Sequence, residues 1–505
     1  MKRLMTFFAV VSLIAILWNT AAPIPAVAQP GRLNAQVVPS SGDCRFGATF
    51  AYWGSMPNES ITRYDLPLLG TGYYLDWKAA RSPSVPNFIR YLPVLHVDDA
   101  SFPTTLAKLP ALVKANPGLT WIIGNEPEDR SQDNVSPETY AERYYAFAQI
   151  IRTDPTAKLG FGTVAMVTTL RIYYLQFAWV RLEQLARAKN PNEGASDLID
   201  IWMPHNFILN EQGGTDENGN PFWGSGIPYG FETRVPTIPW QTLQMPITDF
   251  NDLFNFSIFR DRMVRFRQWM QAMGEQDKPL WLTEYGQLAP SLSPPGVIYF
   301  TVTEAVTSGY RAQTMDWMLT ATDPNVGLPG DENRLVQKFF WYSINDSMTH
   351  FGGTLVNPDT LQFTRVGEDM FNYIPPAGSI KTVPPDIYPL FVTPLITGAN
   401  PALHQMNYRL TVRVRNALLA DHFVDVRATV KDGTATLGTQ TGKTARCGGD
   451  AVFTFNLTNI SSSAPKTVCV DVQPITLTDV APGNNQLCVV LPTSPTPMYL
   501  PLVSR

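Results

Sequence analysis

Two glutamates each close an apolar run: Glu126 in Trp121-Ile-Ile-Gly-Asn-Glu-Pro127 and Glu284 in Pro279-Leu-Trp-Leu-Thr-Glu-Tyr-Gly286. Burying an ionisable side chain among apolar neighbours costs free energy, so two such placements point to a site that uses the acids. A pair of carboxyls on opposite walls has a definite chemistry. One, protonated, delivers a proton to a leaving oxygen; the other, ionised, captures or stabilises an oxocarbenium-like carbon, and together they open an acetal. The competing reading is that these glutamates form structural salt bridges at loop starts.

The elements that position them follow from the hydrophobic pattern. Eight short apolar runs occur between Cys44 and Asp346: Phe46–Tyr52, Gly72–Trp77, Phe88–Val97, Leu119–Asn125, Leu159–Met166, Leu198–Pro204, Pro279–Thr283 and Phe339–Ile344. Continuous apolar runs alternating with helices predict a parallel sheet buried on both faces. The clearest helical stretches are Ser136–Thr153, Leu170–Lys189, Phe256–Gly274 and Tyr299–Leu319, the first with Ser136 as N-cap and Pro137 at the first helical position. About 300 residues of this alternation fit a (β/α)8 TIM barrel with insertions; a doubly wound sheet fits less well, since no glycine-rich dinucleotide loop follows the first strand. Glu126 and Glu284 then end strands four and seven, at the barrel face where catalytic groups collect.

A proline-rich stretch at 374–386 reads as a linker, and the pattern changes after it. Asn407–Arg415, Phe423–Val430, Ala451–Leu457, Thr467–Val472 and Gln486–Leu491 read as strands, most alternating apolar with polar, so a small all-β sandwich follows the barrel. The division is therefore 1–28 signal peptide, 29–43 N-terminal extension, 44–373 barrel, 374–386 linker, 387–492 sandwich and 493–505 tail. The signal reading rests on Lys2 and Arg3, the apolar stretch Leu4–Trp18 and the small residues ending at Ala28; a membrane anchor is the alternative, but the stretch is shorter than the roughly 20 residues a span needs. Export puts the chain outside the cell, free or at its surface. The tail could serve as a sorting signal, an extra strand or a loose end.

Loss of Lys2 and Arg3 takes the net charge from −5 to −7, so no nucleic-acid partner is expected. Four cysteines, Cys44, Cys447, Cys469 and Cys488, permit disulfides in an exported chain. Cys469 and Cys488 lie on neighbouring strand-like runs and are the favoured pair, although sequence leaves the connectivity open. No C-x-x-C pair occurs and there are only five histidines, so neither zinc nor a cofactor is expected. Asp216, Asn218 and Asn220 alternate like the start of a calcium loop, but Pro221 stands where glycine is required, and a plain turn is the better reading.

Asn125-Glu126-Pro127 after one strand and Thr283-Glu284-Tyr285-Gly286 after another resemble the retaining glycoside hydrolases of clan A. Lys278-Pro-Leu-Trp-Leu-Thr-Glu-Tyr-Gly286 is similar to the Asl1-like glycosyl hydrolase catalytic core, a family associated with β-1,3-glucans. The resemblance covers about Phe46 to Tyr373. It implies Glu126 as acid/base and Glu284 as nucleophile, 158 residues apart, with carboxyls separated by about 5–5.5 Å, whereas about 9 Å would mean inversion. The charge on Glu284 is then expected to raise the pKa of Glu126. It also implies substrate contacts from Asn125 to the sugar 2-hydroxyl, from His205 near the nucleophile, from Trp341 under the sugar ring and from Tyr285 beside Glu284. Each has a plainer reading: Asn125 as a turn residue, His205 as a cap or core histidine, Trp341 as core packing. The insertion Phe207–Phe259, with Phe222, Trp223, Tyr229, Phe231 and Trp240, either walls the cleft or folds on itself. Asp479-Val-Ala-Pro-Gly-Asn-Asn485 resembles the turn of CARDB-type immunoglobulin-like modules.

The resulting expectation is a secreted, monomeric retaining β-glycosidase acting on a polysaccharide, an endo-β-glucanase with β-1,3-glucan favoured. The alternative is a non-catalytic extracellular glycan-binding protein on the same barrel. A third arrangement makes the sandwich the adhesive part at the cell surface and the enzyme its passenger.

Overall fold

The computed structural model describes residues 44–51, 60–66, 68–80, 89–209, 214–215, 221–222, 227–231, 250–288, 302–346, 352–380, 384–418, 420, 422–444, 446–448 and 450–493. The signal-peptide segment, the Asp216–Asn220 turn, Trp223, Trp240 and most of the tail lie outside them.

The apolar runs become strands β1 (Phe46–Thr49), β2 (Tyr73–Leu75), β3 (Arg90–Tyr91), β4 (Val94–Leu95), β5 (Thr120–Ile123), β6 (Lys158–Phe161) and β7 (Ile201–Trp202). A short hairpin of β8 (Gly214–Thr215) and β9 (Pro221–Phe222) follows, then β10 (Trp281–Gly286) and β11 (Lys338–Tyr342). One parallel sheet has the order β10-β11-β1-β2-β3 and a second the order β4-β5-β6-β7. β3 and β4 come from a single apolar run, interrupted where Pro93 has no N–H to give a ladder. β7 meets β10 through the parallel bridges Trp202↔Leu280 and His205↔Glu284. The chain is thus a mixed α/β structure with a parallel-sheet core, and its strands are buried on both faces, as continuous apolar runs require.

Helices α1 (Phe102–Ala115), α2 (Pro137–Ile151), α3 (Thr169–Lys189), α4 (Ala195–Leu198), α5 (Phe256–Ala272), α6 (Glu304–Thr320) and α7 (Arg365–Phe371) lie between or after the strands. Ser136 caps α2 by accepting the Thr139 N–H, with Pro137 following. α6 starts at Glu304 rather than Tyr299, because Thr303 caps it by accepting the Val306 N–H.

The C-terminal strands are β12 (Ile387–Asn400), β13 (Gln405–Asn416), β14 (Asp425–Asp432), β15 (Ala435–Lys443), β16 (Asp450–Ser461), β17 (Lys466–Pro474) and β18 (Gln486–Leu491). They form two antiparallel sheets, β12-β13-β16 and β15-β14-β17-β18. Alternate residues such as Leu410, Val412, Val426, Val430, Val468 and Val470 enclose a hydrophobic core of their own. β12 and β15 escaped the sequence reading for a physical reason. Both are edge strands: β12 carries Pro389 and Pro394, and β15 buries no residue, so neither shows clean alternation.

Cys469 and Cys488 sit opposite each other on β17 and β18 and are disulfide-bonded. The second disulfide joins Cys44, just before β1, to Cys447, just before β16, across 403 residues. Beside it Arg446 is buried, donating to the carbonyls of Met370 at 2.7 Å and Tyr373 at 2.8 Å, with its guanidinium over the rings of Phe46 and Tyr373. The two cores are therefore tied by more than the segment 374–386. Closing so long a loop constrains the unfolded chain, and Cys447→Ser is expected to lower the unfolding free energy by about 2–4 kcal/mol. Urea denaturation of the variant checks this; a change below about 0.5 kcal/mol would contradict it.

Candidate active site

Glu284 owes its direction to an irregularity in β10. On β11, Lys338 and Tyr342 face one way, toward Tyr73 and Trp77, while Phe339 and Trp341 pack on Tyr285 from the other face. Leu282 pairs with Phe339 and Tyr285 with Trp341, so β10 carries one extra residue between these two pairs. Such a bulge re-aims a side chain. It sends Glu284 to the Trp77 and Tyr342 side and leaves Tyr285 behind. Glu126 is placed by the turn after β5. Gly124 has φ 86°, where an added Cβ would sit 3.0 Å from the Tyr140 ring, and Glu126 itself has φ 45°. A left-handed glutamate is strained and persists because its surroundings hold it, here through its N–H to the Thr163 carbonyl at 2.9 Å.

The two acids meet at His205. Its Nδ1 is 2.9 Å from Glu126 Oε1 and its Nε2 is 3.5 Å from Glu284 Oε1. An oxygen of Glu126, a ring nitrogen of His205 and an oxygen of Glu284 all lie within 4.8 Å of one another. The Trp77 indole donates to Glu284 Oε1 at 2.7 Å. Burial pushes Glu126 up to about 8, with the charge of Asp129 next in size. Burial also pushes Glu284 up to about 7, opposed by His205 and assisted by the charge of Glu126. The lift on Glu126 thus comes first from desolvation and then from Asp129, rather than from Glu284 as the sequence led us to expect. Burial lowers His205, only partly offset by Glu284, so the ring is neutral and has one proton for two carboxyls.

Of the remaining expected residues, Asn125 is close but engaged: its amide donates to Gln132 Oε1 at 3.1 Å. Tyr285 and Trp341 are not brought to the acid pair. They pack edge to face on each other with centroids 5.3 Å apart, Tyr285 lies against Phe259 of α5, and the Trp341 indole donates to the Gly353 carbonyl at 2.7 Å. The positions beside Glu284 are taken instead by Tyr342, one residue along β11, and by Trp77 and Phe207, which follow β2 and β7. Tyr342 packs on Trp77 and on Phe207, and these three form an aromatic wall beside Glu284. Sequence reasoning missed this because both faces of β11 are apolar, so alternation cannot say whether Trp341 or Tyr342 turns inward. Trp77 was visible as the last residue of the second run. Phe231 of the long insertion is buried against Tyr174 and Phe177, and Tyr229 is exposed.

A second buried acid backs the first. Glu128 Oε1 accepts from Arg171 Nε at 2.9 Å and from the Ala165 N–H at 2.8 Å, and both side chains are inaccessible to solvent. Burial pushes Glu128 up to about 8 against the pull of Arg171. Glu126, His205 and Glu284 also have the donor types that zinc takes. The Trp77 indole N–H already occupies Glu284 Oε1, and we assign no metal to the cluster.

No protein-family model and no curated protein matches the chain. Solved structures similar to it include a GH128 (subgroup II) endo-β-1,3-glucanase from Pseudomonas viridiflava, 13% identical over 66% of this chain and 98% of that one, with a TM-score of 0.38. A GH5-4 broad-specificity endoglucanase from Ruminococcus champanellensis with bound cellotriose is 11% identical over 65% of this chain and 94% of that one, with a TM-score of 0.34. A 272–376 domain of a putative cell surface protein from Methanosarcina acetivorans is 17% identical over 22% of this chain and 91% of that one, with a TM-score of 0.18. Scores and identities this low decide neither fold nor activity for this chain.

Proposed function

We propose that the chain is an exported retaining β-glycosidase that hydrolyses a neutral β-glucan, its eight strand positions closing as a (β/α)8 barrel around Glu126 and Glu284. The observation that carries this reading is the acid pair itself: two buried carboxyls, with an oxygen of each within 4.8 Å of the other and both facing His205. That spacing suits direct attack by one carboxylate and leaves little room for the water that inversion needs. The two disulfides support an oxidising, extracellular destination.

In this mechanism the Glu126 O–H delivers its proton to the glycosidic oxygen while Glu284 attacks the anomeric carbon, forming a glycosyl ester and releasing the leaving alcohol. Glu126, now ionised, takes a proton from water, whose oxygen displaces Glu284 and regenerates both groups. The aromatic wall of Trp77, Phe207 and Tyr342 offers faces for a sugar ring, and the Trp77 indole steadies the charge on Glu284. A hydrolysis screen over β-1,3-, β-1,4- and mixed-linked glucans, mannan and xylan tests the reading, with the anomer of the first-formed product read by NMR. Turnover with a β product supports it; no turnover on any of them, or an α product, overturns it.

The pH dependence has a definite sign. Turnover needs Glu284 ionised and Glu126 protonated, so kcat/KM should rise as pH passes about 7 and fall as it passes about 8. Both limbs belong to the coupled pair. With an aryl glycoside whose leaving group needs no proton, Glu126→Gln should abolish the alkaline limb; persistence of that limb would assign it elsewhere.

A further inference from the structure

His96 and Asp133 stand outside the acid pair yet reach both of its walls. His96 follows β4, and Asp133 lies in the loop between β5 and α2. The His96 ring has Nδ1 2.6 Å from Asp133 Oδ1 and Nε2 3.0 Å from the Trp77 carbonyl oxygen. Asp133 is 3% exposed, and its Oδ2 accepts the N–H of Asn125 at 2.7 Å and that of Val97 at 2.9 Å. One path from His96 therefore ends on Trp77, whose indole holds Glu284. The other ends on Asn125, the residue before Glu126. Trp77 has φ 53° and Glu126 φ 45°, left-handed conformations that strain a non-glycine residue and need outside support.

Proton counting gives the state of the ring. The Trp77 carbonyl can only accept, so Nε2 carries a proton. Asp133 Oδ2 accepts two backbone N–H groups, which leaves Oδ1 to accept from Nδ1, and with that assignment the ring carries a proton on each nitrogen. His96, Asp98 and Asp133 lie within 4.8 Å of one another, but a ring protonated on both nitrogens has no lone pair for a metal.

We propose that His96, held as an imidazolium by Asp133, is a positioning residue that sets Trp77 against Glu284 and Asn125–Glu126 against the substrate, which rests on the acid and nucleophile reading above. The groups facing the ring are Asp133 from the β5–α2 loop, Asp98 on its own segment and the Trp77 carbonyl from the end of β2; Arg143 of α2 is engaged by Asp99 and the Val97 carbonyl. Burial alone would lower His96, but the hydrogen bond and charge of Asp133 raise it above its ordinary value. A raised histidine stabilises the fold fully below its unfolded pKa and loses that contribution as pH climbs through the raised folded one, so the clamp releases at a higher pH than an ordinary histidine would.

The test uses the full chain labelled with 15N-histidine, His96→Gln assigning the signal among five histidines. At pH 7 the His96 signal should show both ring nitrogens protonated, and Asp133→Asn should return the ring to neutral. Each variant should lower kcat about 100-fold with KM within about twofold, the effect of a misplacement near 1 Å. A neutral His96 ring in the wild type at pH 7, or wild-type kcat in a folded His96→Gln, would overturn the proposal. The ring measurement needs neither turnover nor a stable variant. A wild type without turnover but with a doubly protonated His96 would sink the glycosidase reading and leave the clamp standing.

Discussion

Glu284→Gln is expected to lower kcat at least about 10^4-fold, a loss of about 5 kcal/mol of transition-state stabilisation, while raising the melting temperature at pH 8. The first effect follows from replacing a nucleophile by an amide that cannot form the glycosyl ester. The second follows from burial. The Glu284 carboxyl is 4% exposed and pushed up to about 7, whereas in the unfolded chain it titrates near the ordinary glutamate value of about 4.3. Between those values the unfolded chain has lost the proton and the folded chain keeps it. Stability therefore falls with rising pH across that window, and the penalty is complete above it. Glutamine has no charge to desolvate, and its oxygen still accepts the Trp77 indole N–H. The gap in melting temperature should be widest at pH 8 and close toward pH 5. Loss of turnover with a melting temperature lower than wild type at pH 8 would mean that Glu284 is a structural acid, and unchanged turnover would remove it from the chemistry altogether.

The largest stability effect is expected at Arg171. Arg171→Met should lower the unfolding free energy by about 3–5 kcal/mol, because it strips the guanidinium from a carboxyl with no access to water. The double variant Arg171→Met with Glu128→Gln should recover much of that loss, since a neutral amide costs far less to bury than an unpaired carboxylate. The pair also ties neighbouring loops: Glu128 lies two residues past Glu126, and its Oε1 takes the Ala165 N–H just past Thr163, whose carbonyl takes the Glu126 N–H. Urea denaturation at pH 8 reads the effect. A single variant costing under 1 kcal/mol, or a double variant no better than the single, would show that Glu128 is buried in its neutral form and needs no cation.

Much of the fold was legible because it rests on local rules. Each apolar run produced a strand, Ser136 and Pro137 started a helix where their chemistry demands one, and alternation marked β13, β14, β16 and β17. The edge strands β12 and β15 were not legible, since prolines and exposed polar residues erase the alternation on which such a reading depends. At the candidate site, Glu126, Glu284 and His205 could be named from where they end their runs. Tyr285 and Trp341 could not be told from their inward neighbours. Both faces of these strands are apolar, and the extra residue that turns Glu284 inward becomes visible only when β10 is laid beside β11.

The amino-acid sequence by itself determined the apolar runs that become the parallel strands and their order, the start of α2 and the two acids, because these depend on neighbours a few residues apart. Tertiary structure alone decided what surrounds those acids. His205 between them, Trp77 on Glu284, His96 and Asp133 behind both walls, and Cys44 bonded to Cys447 are contacts across long stretches of chain. The desolvation that lifts Glu126 and Glu284 to about 8 and about 7 belongs to the same class. Burial is a property of the assembled core, and no spacing along the chain records how many elements close over a carboxyl.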